Sequence, residues 1–219
     1  MAKRAEEKER RRQERLEAEQ AAQKAAARKR TLQIGGGALL AIVAIAAIVI
    51  VATAGGGGSG NTANAAEVAT DAKAAGCTYK AYKSEGRTHT SKRVKYNTNP
   101  PTSGSHNPVP AQDGIYAAGN SPAKEAFVHS LEHGRVEFQY KPGTSTADVA
   151  TLRKLAESKF KGTAGYHTLM FENNTNMPEA FAVTAWTHSI ACTKLTPQAV
   201  TALTKFRNAF TDKGPEFIP

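Results

Sequence analysis

The chain has 219 residues, 22% of them charged, and a net charge of +10. That charge divides evenly: residues 1–30 hold eleven Lys and Arg against six Glu, and residues 61–219 hold eighteen basic against thirteen acidic side chains. The larger part is therefore only mildly basic, and without basic runs interleaved with aromatics, or a zinc-finger or RNP-like pattern, it argues against nucleic acid as a partner.

In chain order, residues 1–33 read as a charged cytoplasmic helix. The run "KRAEEKERRRQERLEAEQAAQKAAARKR" is rich in strong helix formers, with acid and base spaced as at Glu6 and Arg10. Leu16 is its only large apolar residue, so the helix is solvated rather than a coiled-coil strand, and its basic side chains suit anionic lipid headgroups. Residues 34–54, "IGGGALLAIVAIAAIVIVATA", carry neither charge nor proline. As a helix they span about 31 Å, the thickness of a bilayer core, and read as a single-pass transmembrane anchor. "ARKR" (27–30) precedes the span and Lys73 is the first cation after it, which places the N-terminus in the cytoplasm and the rest outside. A cleaved signal peptide ending at Ala52-Thr53-Ala54 is the rival reading; the long acid-containing leader and the length of the apolar run oppose it. Residues 55–75, opening with "GGGGSGNTAN", read as a flexible linker.

Residues 76–219 are long enough for one core. A strand is expected at "CTYKAY" (77–82), then a Pro/Gly/Asn loop to about residue 121. A helix starts from Ser121-Pro122 as cap and first turn, and runs through "AKEAFVHSLEH" to Gly134. "RVEFQY" alternates as a half-buried strand. "TADVATLRKLAESKF" is an amphipathic helix with Val149, Leu152, Leu155, Ala156 and Phe160 on one face. "YHTLMFE" and "AFAVTAW" are strands and "TPQAVTALTKFRNAF" is the last helix. Strands mixed with helices, without regular βαβ alternation, predict an α+β fold with an antiparallel or mixed sheet. Outside the cytoplasm Cys77 and Cys192 pair most simply as a disulfide, which closes a loop worth about 4 to 5 kcal/mol in the chain-entropy model. Two buried thiols, or a copper-thiolate site through "HSIAC" (188–192), are the alternatives.

The chemistry gathers around histidine. In "HSLEH", His129 and His133 stand one helical turn apart on one face, a spacing that suits two ligands of one metal. The same five residues fit the inverted zinc-peptidase signature, with Glu132 as the base and a third ligand drawn from Glu172 or Glu179. His106 lies in "YNTNPPTSGSHNPVP" (96–110), where prolines at 100, 101, 108 and 110 reduce the entropy lost in fixing its imidazole. Elsewhere, "GGGGSG" lacks the Lys and Ser/Thr of a phosphate loop.

"YNTNPPTSGSHNPVP" followed by "VHSLEHGRV", with "RTH" before and "TAWTH" and "GPE" after, resembles the domain of unknown function 3105 across residues 76–217. One departure is "SGSH" in place of the "SGPH" that the family pattern leads one to expect. The resemblance implies a bacterial single-pass membrane protein without an assigned activity, and draws His89, His106, His129, His133 and Met177 together as a ligand set, leaving out His167 and His188. Imidazoles and a thioether outside the membrane favour copper over zinc or iron as the cofactor. Glu132 is placed behind the imidazoles, orienting one of them. The expected function is thus metal binding at the cell envelope. The alternatives are a zinc-dependent hydrolase and a non-catalytic scaffold with an envelope protein partner.

Overall fold

A computed structural model describes residues 62–216 and 218. The expected charged helix (1–33) and transmembrane span (34–54) lie outside the described residues, among which no helix is long and apolar enough to cross a membrane. Helix α1 (Thr62–Ala74) occupies most of the segment expected as the end of the linker. It is not a spacer, because Val68 and Ala72 are buried in the core.

The remaining elements follow as β1 (Cys77–Ala81), β2 (Gly114–Ile115), α2 (Lys124–Glu132), β3 (Val136–Tyr140), α3 (Thr146–Ala156), β4 (Lys159–Phe160), β5 (Thr163–Ala164), β6 (Thr168–Glu172), β7 (Phe181–Ala185), β8 (His188–Cys192) and α4 (Pro197–Phe210). Six strands form one sheet in the order β1-β8-β7-β3-β6-β2. β6 is parallel to β3 and to β2, and the other pairs are antiparallel. The fold is thus α+β with a mixed sheet. β4 and β5 make a separate hairpin, which takes Phe160 off the helix face where periodicity had placed it.

The two faces of the sheet are covered differently. On one, Val136, Phe138, Met170, Val183 and Ile190 pack against α1, α3 and α4 through Val68, Leu152, Leu203 and Phe206. On the other, Leu169, Phe171 and Trp186 meet Phe127, Val128 and Leu131 of α2. β3 is buried along its whole length for this reason, so its alternation does not mark a solvent face. Cys77 and Cys192 face each other across the β1–β8 pair and form a disulfide, S–S 2.01 Å.

Two close contacts seat α2. It starts after Ala123 without a side-chain cap, and Ser121, expected as the cap, donates its hydroxyl to the Glu172 carbonyl instead. At its other end Gly134 turns with φ +80° and its carbonyl accepts from Asp212 N at 2.9 Å. Gly214 lies so close that a Cβ there would fall 2.1 Å from the Glu132 carbonyl oxygen. Only glycine lets the C-terminal segment press onto the end of α2.

Candidate metal centre

The last turn of α2 presents His129, Glu132 and His133 at helical spacings of three and four, so their side chains share a face. His106 arrives from the proline loop. The middle of that loop is interior: Pro100 to Gly104 and His106 are all buried, while Val109 stands out in solvent. It is held by its own polar groups, with Glu85 N donating to Ser103 Oγ at 3.0 Å and Tyr96 donating its hydroxyl to the Ser105 carbonyl at 2.8 Å. His89 comes from a third segment. Thr90 N donates to the His106 carbonyl at 2.7 Å and His106 N to the Thr88 carbonyl at 3.0 Å, so the two histidines sit side by side in a parallel bridge.

The rings converge. Centroids lie 5.0 Å apart for His89 and His106, 4.8 Å for His89 and His129, and 4.7 Å for His106 and His129. One ligand atom each from His89, His106, His129 and Glu132 lie within 4.8 Å of one another. Trp186 walls the cluster, edge-on to His106 at 6.2 Å. His89 is the open side, with its side chain 49% exposed, while His106 and Glu132 are at 0% and 2%.

Backbone carbonyls assign the tautomers. His106 Nδ1 lies 2.8 Å from the Gly104 carbonyl and His129 Nδ1 lies 2.6 Å from the Asn107 carbonyl. A carbonyl only accepts, so each Nδ1 carries a proton, and in the neutral ring the lone pair is left on Nε2. This is the arrangement that orients metal-binding histidines. Burial lowers the His129 pKa, and the neighbouring His106 and His89 push it the same way. Burial, followed by His129, pulls His133 down to about 4. Both rings are therefore neutral at pH 7, as metal ligation requires.

Glu132 Oε2 is 3.0 Å from His106 Nε2 and 3.9 Å from His89 Nε2. Both Glu132 Oε2 and His106 Nε2 are buried without a hydrogen-bond partner. Left so, each costs about 1 to 3 kcal/mol. Metal bonds of about 2.0 to 2.1 Å set neighbouring donor atoms about 2.9 Å apart at right angles and about 3.4 Å apart at the tetrahedral angle. The 3.0 Å separation matches the edge of such a coordination shell, and an ion placed there would satisfy both atoms.

His133 touches the cluster through His129, Nε2 to Nε2 at 2.9 Å. Met177 is buried in the β6–β7 connection, where its backbone N donates to Asn173 Oδ1. That amide belongs to a polar chain running from buried Glu137 through Gln139, Asn173 and Thr175 to Asn99 of the proline loop. Glu172, once a candidate third ligand, accepts from Gly119 N at 3.1 Å. His167 pairs with Asp212 at 2.6 Å, and His188 stacks on Phe210 with Tyr79 OH 2.9 Å from its Nδ1. The residue that sequence reasoning assigned differently is Glu132. Its spacing of three from His129 was the available signal that it shares the imidazole face.

The fold and the cluster define an α+β domain with a histidine–carboxylate centre able to hold a metal ion. A family model described as "Protein of unknown function (DUF3105)" matches residues 87–217, a span that includes every residue of the cluster, and the chain belongs to that family. No curated protein and no solved structure matches.

Proposed function

We propose that this domain binds a first-row transition metal through His89, His106, His129 and Glu132, on the outer side of a membrane into which residues 34–54 anchor it. One observation carries the metal reading: His106, tethered at Nδ1, turns its Nε2 to Glu132 Oε2 at 3.0 Å, both atoms buried without a hydrogen bond, with ligand atoms of His89 and His129 within 4.8 Å. Three imidazoles and a carboxylate suit copper(II), zinc and iron alike, and the Irving–Williams order favours copper. Met177 is not required, because Glu132 supplies the fourth donor. The compartment is supported by the charge asymmetry around residues 34–54 and by the disulfide, a bond that persists in oxidising surroundings.

As a ligand, Glu132 is not free to act as the base of a zinc hydrolase, which favours binding or handling of the ion over hydrolysis. The test is metal content by mass spectrometry of the full-length chain purified in detergent, beside a His106→Ala, His129→Ala double variant, both before and after reconstitution with copper, zinc or iron. Bound metal in the parent and its loss in the variant are expected. Equal metal in the two proteins overturns the proposal.

A further inference from the structure

Glu132 belongs to two clusters. Besides the four-residue group, one ligand atom each from Glu132, His133 and Glu216 lie within 4.8 Å of one another. His129 has its Nδ1 committed to the Asn107 carbonyl and so offers one lone pair to one ion. His133 Nε2 stands 2.9 Å from His129 Nε2, yet His133 falls outside the mutually close group formed by His89, His106, His129 and Glu132. A single shell therefore does not account for every donor at the end of α2.

Glu216 is brought to this place by construction. Its backbone N donates to the Glu132 carbonyl at 3.1 Å, and Asp212 N donates to the Gly134 carbonyl at 2.9 Å. Between these two bonds Gly214 makes the approach that no larger residue permits. The Glu216 carboxylate acts on His133 electrostatically, raising its pKa against the larger effect of burial. Glu132 itself, 2% exposed and with an unpartnered Oε2, lies between the two donor groups.

We infer that the centre is dinuclear, with a second divalent ion held by His133 and Glu216 and with Glu132 bridging the two ions. This rests on the metal-binding reading above. Both ions take imidazole and carboxylate donors, the class that suits copper(II), zinc, manganese and iron. Carboxylate-bridged pairs lie about 3.5 to 4 Å apart. The exposed sides of the pair are His89 at one end and Glu216 at the other, so exogenous ligands reach either ion.

The test titrates copper(II) sulfate alone into the full-length, metal-stripped chain, reading stoichiometry by mass spectrometry and coupling by electron paramagnetic resonance. Two ions per chain are expected, with the magnetic coupling of a close pair. Glu216→Gln should then hold one ion and show the spectrum of an isolated copper centre. Glu216 is exposed, so that change leaves the core intact. His89→Ala, on the opposite side, should also drop to one ion by losing the first. A parent that binds one ion, or a Glu216→Gln variant that keeps two coupled ions, overturns the pair and leaves the one-metal reading standing. A parent that binds none overturns both.

Discussion

His106 Nε2 and Glu132 Oε2 face each other at 3.0 Å, both buried, and neither makes a hydrogen bond. With the Nδ1 proton of His106 committed to the Gly104 carbonyl, two lone pairs point into the same small space. A cation between them removes the conflict. The same contact, with a proton on Nε2, would instead be an imidazolium–carboxylate pair, and the two cases respond oppositely to substitution.

Glu132→Gln separates them. In metal-free protein the new amide N–H donates to His106 Nε2, and stability should rise by about 1 kcal/mol. Metal affinity should fall by more than about tenfold. Urea denaturation with and without copper reads both. A metal-free variant that is several kcal/mol less stable would mean that a buried ion pair had been broken.

Gly104→Ala tests the tether. Gly104 has φ +123°, and a Cβ there would lie 3.0 Å from Tyr96 Cε1. Backbone strain and displacement of the tyrosine should together cost about 1 to 3 kcal/mol. Because the Gly104 carbonyl aims the His106 ring, copper affinity should fall as well. Unchanged affinity in a folded variant would show that the carbonyl does not position the ligand.

His188 supplies a pH dependence away from the metal. Burial pulls its pKa down from 6.5 to about 4. As pH falls below 6.5 the unfolded chain takes up this proton first, so stability is full above that pH and is lost as pH falls toward 4. Since the ring is partly exposed, the loss is roughly 1 to 2 kcal/mol, less than the full shift implies. His188→Phe keeps an aromatic ring beside Phe210 and Tyr79 and should flatten the melting temperature between pH 4 and 6.5 relative to the parent, with metal removed from both. A parallel pH profile would contradict this.

Much of the fold was legible where local pattern and burial agree. α3 shows it: Leu152, Leu155 and Ala156 are spaced for one face, and Ser145 caps the start by accepting from Asp148 N. The pattern misled where tertiary contact decides. α1 follows a Gly-rich run and six of its thirteen residues are alanine, so it looks like linker, with Val68 the one large apolar side chain it is seen to bury among the described residues. β8 is written in "HSIAC", too short a run to declare itself until Cys192 pairs with Cys77. In the centre, His129 stood out by its helical spacing and His106 by its proline-rich loop, while His89 was drawn in by the family resemblance. Glu132 was legible as the acid of "HSLEH" but not as a donor in the same cluster, and Glu216 was not legible at all, since one carboxylate among nineteen acidic residues acquires meaning only when the C-terminal segment folds back onto α2. Met177, drawn in by the family resemblance, is buried with its backbone N on the Asn173 side chain.

Anomalous diffraction at the copper absorption edge, from crystals of the full-length protein grown with copper, tests the central claim most directly. The account predicts a peak about 2.0 to 2.2 Å from Nε2 of His106, Nε2 of His129 and a carboxylate oxygen of Glu132. A peak at other residues, or crystals with copper in solution and none at this place, would contradict it.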